Sequence, residues 1–282
     1  MGTSSSNYGP KGNTPLLPDW NDNDTNNGTQ EAGNDPNSSN GENANQNQDN
    51  PNTNTLATGS WAGARRKLGA FSKKPNKLTF RRAAKSYIKA SGGATNIAKS
   101  AINGKIVAGQ FANFLNSILK DGIDKTYENL GIGKISGDSV EQIFNNLAEI
   151  LSSGGGTDEE TIARNAVIEA LAKIYEDFDI ENSSIESLDN LTEEQIGTFL
   201  EYYLASYIYE RWLHELGVKI EERNISPSEA VKAEKEAFDF IQSSVNLKFD
   251  DYNLTSFDYN SNVGKAIIEE IFIQAYSLIE TL

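Results

Sequence analysis

The sequence of 282 residues contains no cysteine, one histidine, one methionine and seven prolines. Without cysteine there is no disulfide, no thiolate zinc site and no cysteine nucleophile, and a reducing compartment is compatible. No run of about 18 apolar residues marks a membrane span, and no charged start followed by an apolar stretch marks a signal peptide. The expected location is the cytoplasm. No segment alternates convincingly with period two over five residues, so strands are not expected and the fold class reads as all-α. No repeat recurs at a fixed period.

Reaction chemistry is equally sparse. His214 stands beside Trp212 near the end of a long apolar helix, where a structural histidine or a favourable helix-end charge accounts for it. Asp158, Glu159 and Glu160 suit a helix N-terminus, and Glu176, Asp177, Asp179 and Glu181 read as a hydrated surface without the spacing of an EF-hand loop. Gly154-Gly155-Gly156 lacks the Gly-Lys-Ser/Thr of a phosphate loop and reads as a hinge. Tyr202, Tyr203, Tyr207 and Tyr209 read as core packing rather than a cofactor pocket. No nucleophile and base pair is supplied. The expectation is a non-enzymatic protein with no catalytic residue, no metal and no cofactor.

Charge is distributed unevenly. Residues 61–100 hold eleven lysines and arginines and no acidic residue, while residues 101–282 carry a net charge of −20. Within the basic segment, Lys77, Arg81, Lys85 and Lys89 fall on one helical stripe and Phe80, Ala84, Tyr87 and Ile88 on another. Gly92-Gly93 would end that helix. Arg65, Arg66, Lys67 and Arg82 complete the candidate contact set for nucleic acid or an acidic partner. Trp61 and Phe71, lying between basic clusters, would suit stacking on single-stranded bases. The competing expectation packs this segment against the acidic body or an acidic protein.

From about Ala94 the pattern is helical. One helix is expected from near 94 to Asp121 through Ile102, Ile106, Phe111, Phe114, Leu115 and Ile118, with Gly122 as its stop. Asp138 or Ser139 would cap the next, whose face is Val140, Ile143, Phe144, Leu147, Ile150 and Leu151. Thr157 with Glu160 forms a capping box, and Thr192 with Gln195 another. From Ile196 to Leu216 only a narrow stripe through Glu201, Ser206 and Glu210 is polar, which makes this helix central. Ser226, Pro227 and Glu229 open a helix through Val231, Ala237, Phe238 and Ile241. The last helix runs through Val263, Ile267, Ile271, Ala275, Leu278, Ile279 and Leu282. The reading is a single helical domain of about six to eight helices after a long disordered tail. Its divisions are a recognition segment at 1–20, an Asn-rich linker at 21–58, a basic amphipathic segment at 59–93 and an acidic helical domain at 94–282.

The linker holds thirteen asparagines and almost no apolar side chain, too little burial to offset ordering. As a coil its 38 residues span roughly 30–37 Å. Ahead of it, MGTSSSNYGPKGNTPLLPDW combines turn-forming residues with two leucines and a tryptophan held between prolines. Removal of Met1 would leave the Gly2 amine, unhindered and titrating near 7.7–8.0. Three readings apply: the apolar residues fold back on the domain; Met1-Gly2 with Ser6 is a myristoylation signal; or the terminus is a substrate or docking peptide for a partner enzyme.

Met1 to Ser6, then Gly-Pro, a further glycine, and Thr14-Pro15-Leu16-Leu17-Pro18-Asp19-Trp20 resemble the start of the QatB family of the four-gene Qat anti-phage defence systems of bacteria. The resemblance is concentrated in these twenty residues. It implies three partners: a QueC-like protein, a P-loop ATPase and a TatD-like nuclease. QueC enzymes activate a deazaguanine carboxylate with ATP and join it to an amine, so the resemblance makes Gly2 the acceptor. Thr3, Ser4, Ser5, Pro15, Leu16, Leu17, Pro18 and Trp20 would then hold the tail in the partner. The function expected is an adaptor of an anti-phage complex whose N-terminus is bound and modified. The alternative is a nucleic-acid-binding protein acting through residues 61–99.

Overall fold

Ser60 begins the part of the chain that the computed structural model describes, which is residues 60–132, 140–152, 156–216, 226–245 and 254–282. Its Oγ accepts the Gly63 N–H at 3.1 Å and so starts α1 (Trp61–Lys73). Three residues later α2 (Lys77–Ala90) opens on a capping box, with Asn76 Oδ1 accepting the N–H groups of Leu78 and Thr79 and Thr79 Oγ1 accepting that of Asn76. So short a turn makes the two helices an antiparallel hairpin. Gly92 and Gly93, both at φ near 90°, end it in the left-handed region that glycine tolerates.

The chain continues through α3 (Ala94–Ser100), α4 (Ile102–Asp121), α5 (Ile123–Asn129), α6 (Val140–Ser152) and α7 (Asp158–Asp177). A 3₁₀ turn (Ile185–Asn190) leads to α8 (Glu193–Leu216), and α9 (Pro227–Ser244), a short 3₁₀ turn (Leu254–Ser256) and α10 (Asn262–Thr281) complete it. Among the described residues there are ten α-helices and no strand, so the fold is all-α. The count exceeds six to eight for three reasons: α1 and α5 are additional, and the helix expected over 94–121 is broken at Ala101 (ψ 60°) into α3 and α4.

Helix α8 is the central element, packed on α4, α7 and α9. Its Ile196, Phe199, Leu200, Tyr203, Leu204, Tyr207, Ile208 and Trp212 are all buried. Helix α7, which packs on it, buries the small residues Ala163, Ala166 and Ala170. The hairpin belongs to the same core. Phe71 and Phe80 stack edge-on with Trp212 at 6.1 and 4.9 Å, and Phe80 meets Phe240 of α9 at 5.3 Å.

Several expected faces are rotated. In α4 Phe111, Phe114, Leu115 and Ile118 are buried as expected, but Ile102 and Ile106 are exposed and Val107, Ala108 and Ala112 are buried in their place. Val231 and Val263 are also exposed. Helix α10 buries Ile271, Ala275 and Ile279 as expected, together with Gly264, Ile268, Phe272 and Tyr276, which lie one position around from expected members of the face. Ser206, expected on the wet stripe of α8, is buried, which leaves Glu201 and Glu210 to mark that side. The caps proposed at Asp138 or Ser139 lie outside the described residues.

Among the described residues, three helices have no N-cap side chain of their own and receive one from a distant element. Glu280 of α10 accepts the Ala94 N–H at the start of α3 (3.1 Å), and Asp189 accepts the Ile123 N–H at the start of α5 (2.8 Å). Glu159 of α7 accepts the N–H groups of Asn103 (3.0 Å) and Gly104 (3.4 Å) at the start of α4. A carboxylate at a helix N-terminus satisfies orphan donors and opposes the helix dipole. Alanine at Asp189 or at Glu280 is therefore expected to cost about 1 kcal/mol. In a domain of this size that is a fall of roughly 2–4 °C in Tm. Melting temperatures equal to that of the unsubstituted protein would mean that water replaces the caps without loss.

Candidate functional site

The eight basic candidates all lie on the hairpin. Arg65, Arg66 and Lys67 project from α1, and Lys77, Arg81, Arg82, Lys85 and Lys89 from α2; Lys85 is half-buried and the others are exposed. Among the described residues none of the eight forms an ion pair. The hairpin attaches through its apolar side: Ala64, Leu68, Phe71, Phe80, Ala83, Ala84, Tyr87 and Ile88 are buried. Lys77 does border Glu236 and Asp239 in a small cleft of about 200 Å³ between α2 and α9. Lys73 and Lys74 extend the cationic surface around the turn; a search for helical stripes passes over them because the turn breaks the period.

Base stacking by Phe71 is ruled out, since the ring is wholly buried. Trp61 is half-buried and packs edge-on against Tyr87 at 6.0 Å. The recognition residues Gly2, Thr3, Ser4, Ser5, Pro15, Leu16, Leu17, Pro18 and Trp20 lie outside the described residues.

The tyrosines of α8 divide by position. Tyr203 and Tyr207 are buried, with Tyr203 donating its hydroxyl proton to the Gly104 carbonyl at 2.9 Å and Tyr207 to Glu159 Oε1 at 3.1 Å. Gly104 is needed there, because a Cβ would stand 2.4 Å from the Tyr207 ring. Burial pushes both phenols well above their ordinary pKa, aided by the nearby Glu159 carboxylate. Such hydroxyls are donors that fix helices, and neither is poised to lose its proton. Tyr202 and Tyr209 are half-buried and pack against Phe238 of α9.

Each carboxylate at the start of α7 has a separate task. Glu160 Oε2 accepts the N–H groups of Gly156 and Thr157 in the capping box, Glu159 caps α4, and Asp158 lies 3.6 Å from His214. His214 is exposed, so its pairing is a surface contact between α7 and α8. In the second acidic group Asp177 pairs with Lys173, and Asp179 (φ 49°) turns the chain out of α7 and accepts from Asn182. Among the described residues no group of three or more histidines, aspartates or glutamates is placed to hold a metal ion. An open cleft of about 310 Å³ between α7, α8 and α9 is bordered by Glu169, Tyr209, Glu210 and Glu234. Partial burial raises the Glu210 carboxyl pKa, although Asn165 donates to it at 3.2 Å.

These features define an all-α domain that carries a cationic helical hairpin on an acidic body. No described helix is long and apolar enough to cross a membrane. Residues 92–279, two thirds of the sequence, match the family model described as Qat anti-phage system associated protein QatB. The chain belongs to the QatB family and is thereby a component of an anti-phage defence system. No curated protein and no solved structure gives a match. The matched stretch begins at Gly92, in the turn after α2, so it excludes both the N-terminal twenty residues and the hairpin.

Proposed function

We propose that this chain is a non-enzymatic adaptor of its defence complex, working in the cytoplasm and offering its N-terminus to a QueC-like partner. Family membership over residues 92–279 is the observation that carries the reading. It is independent of the head segment, whose own sequence led to the same family. The division into recognition segment, tether, basic segment and acidic domain follows from composition and charge.

In this scheme the partner binds Thr3 to Trp20, and the neutral Gly2 amine attacks the carbonyl of the ATP-activated carboxylate, breaking its bond to the ATP-derived leaving group and losing one proton as the amide forms. The Asn-rich linker gives the head a reach of roughly 30–37 Å from the folded body. The P-loop ATPase and the TatD-like nuclease of the same system are further partners, assembled on the helical domain.

Intact and peptide mass spectrometry of the protein produced with and without the QueC-like partner tests the scheme. Added mass confined to the N-terminal peptide, and dependent on the partner, is the expected result. A fatty acyl mass would replace the scheme with membrane anchoring. Should the terminus stay unmodified and the chain lacking residues 2–20 still co-purify with the partner, the head has no part in assembly.

A further inference from the structure

We infer that the outward face of the α1–α2 hairpin binds the phosphate backbone of duplex nucleic acid, without sequence preference. Three observations carry this. Residues 61–100 place eleven cations in forty residues with no acidic residue among them. Burial of the apolar sides of both helices turns those cations to solvent, Lys85 only in part, and none of the eight candidates on α1 and α2 is neutralised by an ion pair among the described residues. The third is spacing: Lys77, Arg81, Lys85 and Lys89 recur every fourth residue, at about 6 Å per step and about 18 Å end to end. That length matches roughly five base-pair steps of B-form DNA at about 3.4 Å each.

The kind of partner follows from what else the face presents. A protein interface is built on an apolar, aromatic core depleted in lysine, whereas the one large apolar side chain exposed on α1 and α2 is Leu78. Single-strand binding needs aromatic rings for bases to stack on, and here Phe71, Phe80 and Tyr87 are buried and Trp61 is half-buried. What remains is a row of point charges, which suits a backbone of phosphates. Lys77, which borders Glu236 and Asp239, is partly offset at its end of the row; the rest of the acidic body does not cancel the face, because at about 0.1 M salt fields decay over roughly 10 Å. Its effect is to orient, by repelling a polyanion from every other side of the molecule.

Fluorescence anisotropy of the full chain with a labelled 20-base-pair duplex, at salt from 50 to 200 mM, is the test. With about five phosphates neutralised, log affinity should fall with a slope near −4.5 against log salt, roughly 500-fold over that range. Replacing Arg81, Arg82 and Lys89 together by glutamate should weaken binding at 50 mM more than tenfold. The control variant carries glutamate at Lys232, Lys235 and Lys265, which are also exposed, and should stay within twofold. Helicity and Tm of both variants are compared with the unsubstituted chain. No binding at 50 mM, a salt slope shallower than −2, or equal losses in the two variants would overturn the inference. So would competition by poly-L-glutamate as effective per charge as unlabelled duplex, which would assign the face to an acidic polypeptide instead.

Discussion

Replacing Trp212 by alanine is expected to lower stability by about 3–5 kcal/mol. The indole is 1% exposed and sits where three parts of the fold meet, with Phe71 of α1, Phe80 of α2 and its own neighbour Tyr209 around it. Truncation removes the edge-to-face contacts and leaves a cavity that helices cannot easily close. The same rings tie the hairpin to α8, so the loss should be felt most there. Thermal melting should show a fall on the order of 10 °C, and limited trypsin digestion should cut sooner at the exposed Lys73-Lys74 turn. A variant that melts within about 2 °C of the parent would mean that the hairpin is held by other contacts.

Alkaline pH should unfold the domain in one step that begins near pH 10. Tyr87, Tyr203 and Tyr207 are buried, and desolvation holds their phenols well above the ordinary value. Burial likewise raises Tyr276 to about 12, with Arg211 opposing the rise. An unfolded tyrosine ionises near pH 10. Above that pH the folded state binds more protons than the unfolded one, and stability falls as pH rises. Tyr276 alone would withdraw about 2 kcal/mol by pH 12, at roughly 1.4 kcal/mol per pKa unit. Far-ultraviolet circular dichroism and tyrosinate absorbance, followed from pH 9 to 12, should change together for most of the signal. Gradual ionisation with the helices intact would show that these phenols reach water in the folded state.

The sequence reported local signals faithfully and non-local ones poorly. Thr157 with Glu160 and Ser226 with Glu229 form the capping boxes expected of them, and the Gly92-Gly93 and Gly122 stops fall where expected. Each rests on residues within four positions. The break at Ala101 carries no glycine or proline, and what makes it tolerable is Glu159, 56 residues from Asn103. No reading of residues 94–121 by themselves contains it. The rotated face of α10 has a similar origin. Gly264 packs against the backbone of Asp258 and Tyr259, where a Cβ would approach to 2.3 Å, and that contact sets the roll of the helix. For the candidate sites, charge clustering located the hairpin cations, because charge survives without knowledge of contacts. Assigning Phe71 to a ligand failed because its partners, Phe80 and Trp212, are 9 and 141 residues away.

The borrowed caps also set an order of events during synthesis. A helix of seven residues, as α3 and α5 are, does not hold itself together in water, since nucleation costs more than so few hydrogen bonds return. The carboxylate that completes α3 lies 186 residues further along the chain. A ribosome moving from the N-terminus therefore releases the hairpin and α3 long before Glu280 is made, and the fold closes only when the final helix emerges. Any nascent chain cut short before its last turn would lack that closing contact and leave the N-terminus of α3 uncapped, a frayed spot for chaperones and proteases to find.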